Sequence, residues 1–400
     1  MKIFLKKLPE KLIELLMRVS AFVTSITILL IVFFLFREGF GIFKSPSVEK
    51  GYIISVNQSN SIKNLSSADV KKIYDQEITD WKDLGGTPGT IQLFRVEDVS
   101  NFYTEAELGA NMEHLPQKLN EHISKTPNII AFFPEAYLSK SFQGKILPLK
   151  NITFLDFIGG KEWFPTAQPS AQFGAWPLIL GTLYVSFIAI LLALPLGLAT
   201  AIYLAEIADR KTRNILKPVI ELLAGIPSVV YGFFGLIVIV PLLKNSFNLD
   251  SGQSGLAGGI LLAIMALPTI ITVSEDALRN TPNAMREASL AMGASKWQTI
   301  CRIVVPYSSS GISAAAILGI GRAMGETMAV LMVTGNAAVI PHSILEPLRT
   351  IPATIAAELG EAPQGGLHYQ ALFTLGCILF IITVSANLLA GYISKKRRLA

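Results

Sequence analysis

The stretch Glu287–Pro306, with the sequence EASLAMGASKWQTICRIVVP, connects two long apolar segments of this chain. It begins with Glu-Ala-Ser, has a glycine at position 293 and ends in a proline. Taken by itself, this pattern is typical of an amphipathic surface helix that ends at a glycine C-cap. Its place between two apolar segments indicates a surface helix that joins two membrane spans.

The composition of the chain is that of a membrane protein. Charged residues make up 16% of the sequence and hydrophobic residues 51%, whereas a soluble domain carries about 25% charged residues. Charges are almost absent from several long windows, each long enough to cross a bilayer at about 20 residues per helix. We therefore predict an all-α polytopic membrane protein with six transmembrane helices. The six windows are residues 18–37, 176–205, 217–243, 255–274, 308–333 and 370–393.

The basic residues predict the orientation of these helices. They are concentrated at the N terminus, at 210–213, at 279–302 and in the tail at 395–398. With six spans these four segments fall on one side, which the positive-inside rule makes the cytoplasm. The first window has no small-residue cleavage site, so we expect an uncleaved anchor. Both termini of this multi-pass protein are therefore predicted to be cytoplasmic.

The polar segment between the first and second windows is too long for a loop. Residues 65–74 predict a short helix with a serine N-cap, and strands are predicted at 91–95, 128–133 and 145–149. The chain is thus expected to have three parts. They are the N-terminal segment with the first transmembrane helix at 1–43, a small extracytoplasmic α/β domain at 44–150, and a transmembrane domain at 151–400 that includes the loop 281–306.

Two ionisable residues, Arg322 and Glu326, lie inside the fifth window. A charge near the bilayer centre costs about 2.5–3.5 kcal/mol on insertion scales, so such residues indicate function. Their spacing predicts that both lie on one helical face, and the guanidinium of arginine suits a tetrahedral oxyanion. The alternative is a structural ion pair that locks two helices together. Gly321 and Gly325 form a Gly-x-x-x-Gly pattern, which predicts close packing against a neighbouring helix.

Three further residues are weaker candidates for a transport path. Glu221 is predicted near the start of the third span, and the hydroxyls of Ser228 and Tyr231 lie in the same window. Such groups often bond a backbone carbonyl or a neighbouring helix instead. Pro227 is expected to kink this helix.

The sequence contains no pattern for catalysis or metal binding. Its two cysteines, Cys301 and Cys377, make neither a disulfide framework nor a metal site, and the four histidines are scattered. No Gly-x-x-x-x-Gly-Lys-Ser/Thr motif occurs, so any ATP must be hydrolysed by another polypeptide. We expect no metal, no cofactor and no enzymatic activity in this chain.

The opening stretch resembles the EAA loop, the cytoplasmic coupling helix of bacterial ABC importer permeases. The departures are Ser289 in place of alanine and Val305 in place of leucine. The resemblance implies that the helix docks into a groove on a separate ATPase subunit. The residues it assigns to this coupling are Glu287, Ala288, Ser289 and Gly293, with Arg286 adding to the contact.

Residues 151–400 and the N-terminal anchor are similar to the phosphate ABC-transporter permeases of the PstC type. The similarity includes Gly225–Gly232 (GIPSVVYG) and Gly321–Val330 (GRAMGETMAV), in the same order as in that family. It implies the type I importer fold in the bacterial inner membrane and a phosphate path past Arg322. The implied partners are a second, PstA-like permease, two ATP-binding subunits and an extracytoplasmic phosphate-binding protein.

The inserted domain resembles one lobe of the periplasmic phosphate-binding proteins. The resemblance is carried by Leu65–Gly86 and by the order of the strands that follow. In those receptors a Ser-Gly-Thr sequence cradles phosphate, whereas the corresponding stretch here, Arg95–Phe102, lacks the Gly-Thr. The domain could therefore serve in docking, regulate the receptor or still bind phosphate weakly.

Two alternatives to a phosphate importer remain at this point. The cargo could be another oxyanion such as sulfate or molybdate, because a single arginine does not select phosphate. The chain could also be a membrane-anchored phosphate sensor whose helices only relay a signal. Whether the permease pairs with itself or with a different chain is also left open.

Overall fold

The structure, a computed structural model, describes residues 2–44, 48, 51–109 and 111–396. The chain divides into two compact units. The first comprises Met1–Asp69, Gln76–Ile152 and Pro363–Cys377, and the second comprises Val70–Asp75, Thr153–Ala362 and Ile378–Ala400. Arg397 and Arg398, part of the basic tail that predicted the orientation, lie outside the described residues.

The chain up to residue 146 contains a long helix and a small mixed sheet. The strand order is β2-β3-β1-β4, in which β2 runs parallel to β3 while β1 pairs antiparallel with both β3 and β4. The elements in chain order are α1 (Lys2–Gly39), β1 (Tyr52–Val56), α2 (Ser67–Tyr74), β2 (Gln92–Arg95), α3 (Glu105–Leu108), α4 (Leu115–Lys125), β3 (Ile129–Pro134) and β4 (Lys145–Ile146).

The core of the small domain forms where α4 covers one face of the sheet. Leu115, Leu119 and Ile123 recur at intervals of four residues, so they share one helical face, and they are buried with Phe94 and Phe133 of the sheet. The predicted helix at 65–74 and the three predicted strands are present. β1 and α4 were not predicted from the sequence. The four-residue spacing of apolar residues in α4 could have predicted that helix.

The second part of the chain is almost entirely helical apart from the short antiparallel pair β5–β6. Its elements are α5 (Phe154–Gly159), β5 (Trp163–Phe164), β6 (Gln172–Phe173), α6 (Trp176–Ile202), α7 (Arg210–Ala224), α8 (Ser228–Phe234), α9 (Val240–Phe247), α10 (Gly255–Arg279), α11 (Asn283–Ala291), α12 (Lys296–Thr299), α13 (Val305–Tyr307), α14 (Ser309–Gly325), α15 (Met328–Val333), α16 (Ile351–Glu358) and α17 (Leu367–Lys396).

The membrane-protein prediction is confirmed. In the described part of the chain five helices are long and apolar enough to cross a bilayer, and the bent pair Lys296–Tyr307 and Ser309–Gly325 makes a possible sixth, with an angle of 68° between its halves. The five are Ile13–Lys44, Trp176–Ile207, Ser228–Phe247, Gly255–Arg279 and Leu367–Tyr392.

Two of the predicted windows have different boundaries in the structure. The window 217–243 is not one helix, because α7 ends at Ala224 and a new helix begins after Pro227. Proline lacks the N–H that a continuing helix would need but fits the start of the next one. The window 308–333 is also interrupted: α14 ends at Gly325, and Glu326 is extended, with φ −71° and ψ 134°.

Candidate functional site

The Glu287–Pro306 stretch forms two short helices joined by a tight turn. Gly293 lies in this turn with φ +82°, and a Cβ built there would meet nothing within 4 Å. Glycine is therefore favoured by the backbone conformation and not by a close neighbour. Ser295 then caps α12 by accepting a hydrogen bond from the Gln298 N–H at 3.2 Å. The sequence predicted the turn and its glycine correctly.

The surface of α11 is available for a partner. Within Asn283–Ala291, all of it described, no side chain is fully buried, and Glu287 and Ala288 are exposed. Ser289 is half-buried because its hydroxyl lies 2.9 Å from that of Thr299. Ser289 thus links α11 to the helix that follows, which an alanine at this position could not do.

Arg286 contacts the rest of the chain and does not extend outward. Its Nη2 donates to Oε1 of Glu206 at 2.7 Å and to the carbonyl of Leu278 at 3.0 Å. Its Nη1 donates to the carbonyl of Thr281 and to Oδ1 of Asn283, the latter at 3.1 Å. The side chain is only 18% exposed. The geometry therefore favours a bracing role over the predicted ATPase contact.

A second charge cluster at this end of the helices was not predicted from the sequence. The Glu275 carboxylate in α10 is 1% exposed, and it lies 2.8 Å from Nη2 of Arg213 and 3.1 Å from Nζ of Lys217. Arg279 approaches the same carboxylate at 3.7 Å. Because a buried carboxylate requires paired charges, this cluster fixes the basic face of α7 against α10.

The two charges of the fifth window are not paired as predicted. Among the described residues no ion pair joins Arg322 to Glu326. The helix ends at Gly325, so the two side chains are not stacked on one helical face. Arg322 makes one long hydrogen bond, from Nη1 to the Thr269 hydroxyl at 3.4 Å. Its other donor groups have no hydrogen-bond partner among the described residues.

Glu326 lines a closed gap, too narrow to admit a water molecule, that is also lined by hydroxyl groups. Thr182 is buried there, and its hydroxyl accepts a hydrogen bond from the Ile351 N–H at 2.9 Å. Ser186, one helical turn further along α6, and Thr350 also line this gap. We call this feature the constriction and define it by Thr182, Ser186, Glu326 and Thr350.

The three weaker candidates for the transport path have different surroundings in the structure. Glu221 is exposed on α7 and lies outside the third span, which begins at Ser228. The Tyr231 hydroxyl donates to the carbonyl of Leu223 at 2.8 Å, which matches the alternative of a backbone partner. Ser228 is half-buried at the first position of α8. The structure therefore provides no argument for Glu221 or Tyr231 as anion contacts.

No described residue of this chain packs closely against Gly321 or Gly325. A Cβ built at Gly321 or Gly325 would meet no described atom within 4 Å outside the local helix. The small-residue face is therefore open in the isolated chain.

Comparison with known families identifies the transmembrane part. The family model for the binding-protein-dependent transport system inner membrane component matches residues 193–399. The chain belongs to this family. As a member it is an inner-membrane transport subunit and not an enzyme, and it works with a binding protein and an ATPase.

Individual relatives of this permease cover most of its transmembrane part. A probable ABC transporter permease, YqgH of Bacillus subtilis, is 39% identical over 250 residues, which is 62% of this chain and 81% of the relative. The phosphate transport system permease protein PstC of Mesorhizobium japonicum is 38% identical over 270 residues, covering 63% of this chain and 81% of the relative. A binding-protein (PBP) superfamily domain matches residues 33–141.

The lobe-like domain of the permease lacks a prepared anion site at the expected loop. Residues Val96–Asn101 form a 3-10 helix that carries Glu97 and Asp98. At the start of α3, the Glu107 carboxylate accepts hydrogen bonds from the N–H and hydroxyl of Thr104, both at 2.9 Å. These bonds lower the pKa of Glu107, so a negative charge already occupies this helix start.

His122 makes the stability of this domain sensitive to pH. Its ring packs between Phe94 and Phe102, at centroid distances of 5.3 and 5.0 Å, and burial lowers its pKa. The folded domain therefore favours neutral His122, and this stabilisation is present above the unfolded pKa of about 6.5 and is lost as pH falls below it. We expect faster amide exchange in α4 at acidic pH, after correction for intrinsic rates.

The measurement is hydrogen exchange on the intact permease at neutral and acidic pH. His122→Gln should remove most of this pH dependence, whereas His114→Gln, at an exposed position just before α4, should keep it. Equal pH dependence in both variants would refute the role of His122.

Proposed function

We propose that this chain is the permease subunit of an ATP-driven importer of inorganic phosphate. The observation that carries the proposal is the 38% identity to the PstC permease of Mesorhizobium japonicum over 81% of that protein. The spans, the coupling-loop geometry and an arginine inside the membrane agree with this function. A permease of this kind supplies the path, while the ATPase supplies the energy.

Arg322 would bind phosphate in the path, and Glu326 would distinguish phosphate from sulfate. Arg322 makes one long hydrogen bond, so its planar set of N–H donors is available to two oxygens of an oxyanion. At neutral pH phosphate still carries a hydrogen atom, so it can donate a hydrogen bond to the Glu326 carboxylate. Sulfate has no hydrogen to donate, so the same carboxylate would repel it. The Ser186 and Thr350 hydroxyls of the constriction would replace part of the hydration shell.

The assembly we propose contains a second, PstA-like permease, two ATP-binding subunits and an extracytoplasmic phosphate-binding protein. The termini and α11 would face the cytoplasm, where the ATP-binding subunits are. The open face at Gly321 and Gly325 would receive a helix of the second permease, because small residues permit close helix approach. The lobe-like domain would be extracytoplasmic and would meet the binding protein.

Labelled phosphate uptake tests the cargo. The chain and its partner subunits are expressed in cells that lack their own phosphate permease. We expect uptake that unlabelled phosphate competes away and that excess sulfate or molybdate leaves unchanged. Strong competition by sulfate or molybdate would assign another oxyanion. Without transport, a phosphate-dependent signal would make the chain a sensor.

A further inference from the structure

Arg286 of α11 and Glu206 form a partly buried ion pair across 80 residues of sequence. The Nη2 and Oε1 atoms are 2.7 Å apart, and the two side chains are 18% and 9% exposed. Glu206 lies in Tyr203–Ile207, a π-helical segment that continues α6. Such segments are rare and are frequently found at functional sites.

This ion pair is a principal attachment of α11 to the transmembrane helices. Because α11 has no fully buried side chain, apolar packing does not hold it firmly. The guanidinium of Arg286 instead bonds Glu206 together with the carbonyls of Leu278 and Thr281. A planar group with several donors fixes its own position when it serves several acceptors. Movement of α11 is therefore passed to the end of α6 through Glu206, and also to α10 through the Leu278 carbonyl.

The other end of α6 reaches the constriction. Thr182 and Ser186 lie on this helix, and Ser186 is 20 residues before Glu206. At 1.5 Å per residue the helix carries displacement over about 30 Å. On the other side of α11, the Ser289–Thr299 contact leads through α12 toward α14, which carries Arg322. α11 is thus bonded to the π-helical extension of α6 and to α12, the helix that precedes α13 and α14 in the chain.

We propose that Arg286 and Glu206 are positioning residues that transmit the movement of α11 to α6 and so to the constriction. This proposal rests on the proposed transport function. Loss of the pair should leave the ATPase bound and active while less phosphate moves per ATP. The pair itself contacts neither phosphate nor ATP.

The test uses the complete importer in proteoliposomes, with phosphate uptake and ATP hydrolysis measured together. The variants are Arg286→Gln, Glu206→Gln, the double variant and Arg286→Lys. The double variant leaves no buried unpaired charge, so it should assemble even where a single variant does not. Arg18→Gln is the matched control, because Arg18 also pairs with a glutamate at 2.6 Å but is 76% exposed.

We expect the double variant to move less phosphate per ATP by a factor of about five or more, which is within the usual range of coupling between sites. The double variant should lose no more of the phosphate-to-ATP ratio than Arg286→Gln alone. The effects of substitutions at two residues that act through each other do not add. Arg286→Lys should recover part of the ratio, and Arg18→Gln should keep all of it. An unchanged ratio in the double variant overturns the proposal. Failure of the unmodified importer to move phosphate would instead overturn the transport function.

Discussion

Replacing Arg322 with glutamine is expected to reduce phosphate uptake by about a hundredfold or more while the ATPase stays bound. The variant loses a charge that two oxygens of the anion would share. Each charge-assisted hydrogen bond contributes about 1.5–3 kcal/mol, and about 1.4 kcal/mol corresponds to a factor of ten. The hydrogen bond to Thr269 is long, at 3.4 Å, so its loss should cost the fold little.

The measurement is initial uptake of labelled phosphate at matched membrane levels of each variant. Arg322→Lys keeps the charge without the planar set of donors, so we expect intermediate uptake. Arg18→Gln removes an exposed arginine from α1 and should leave uptake unchanged. If Arg322→Gln transports normally, Arg322 is a packing residue and the path lies elsewhere.

The relation between Arg322 and Glu326 shows where sequence reasoning stops. The cost of an ionisable residue in the membrane marked both positions as unusual. Their pairing, however, assumed a continuous helix, and α14 ends between them at Gly325. Hydropathy averages over a window, so it does not detect a break inside an apolar segment. The same averaging merged α7 with the third span.

The direction in which the Arg286 side chain extends is decided by Glu206, and no local sequence pattern could indicate this contact. The motif spacing predicted the helix, its turn and its exposed face, because these follow from neighbouring residues. Whether Arg286 extends outward or back depends on Glu206, 80 residues earlier in the chain. Glu275 was missed for the same reason, since its partners Arg213 and Lys217 lie on a different helix. Local pattern predicts elements, whereas contacts distant in sequence decide what their side chains do.

Substituting Glu287→Arg together with Gly293→Asp is expected to weaken ATPase binding and to reduce phosphate uptake with it. Glu287 is exposed on α11, so charge reversal changes the partner-facing surface and leaves the packing of the permease alone. At Gly293, with φ +82°, a side chain costs about 1–2 kcal/mol of backbone strain and shifts the start of α12. Together these changes should weaken the contact about tenfold or more.

Co-purification of the ATPase with the permease measures this directly, and uptake is recorded on the same preparations. Gly360→Asp with Glu361→Arg is the matched control. Both residues are exposed between α16 and α17, and a Cβ at Gly360 meets nothing within 4 Å. The control pair should retain the ATPase, because it changes the face predicted to be extracytoplasmic.

If the α11 variant also retains the ATPase, this helix does not dock the ATPase. The Arg286–Glu206 pair would then hold together a surface helix that does not couple to ATP.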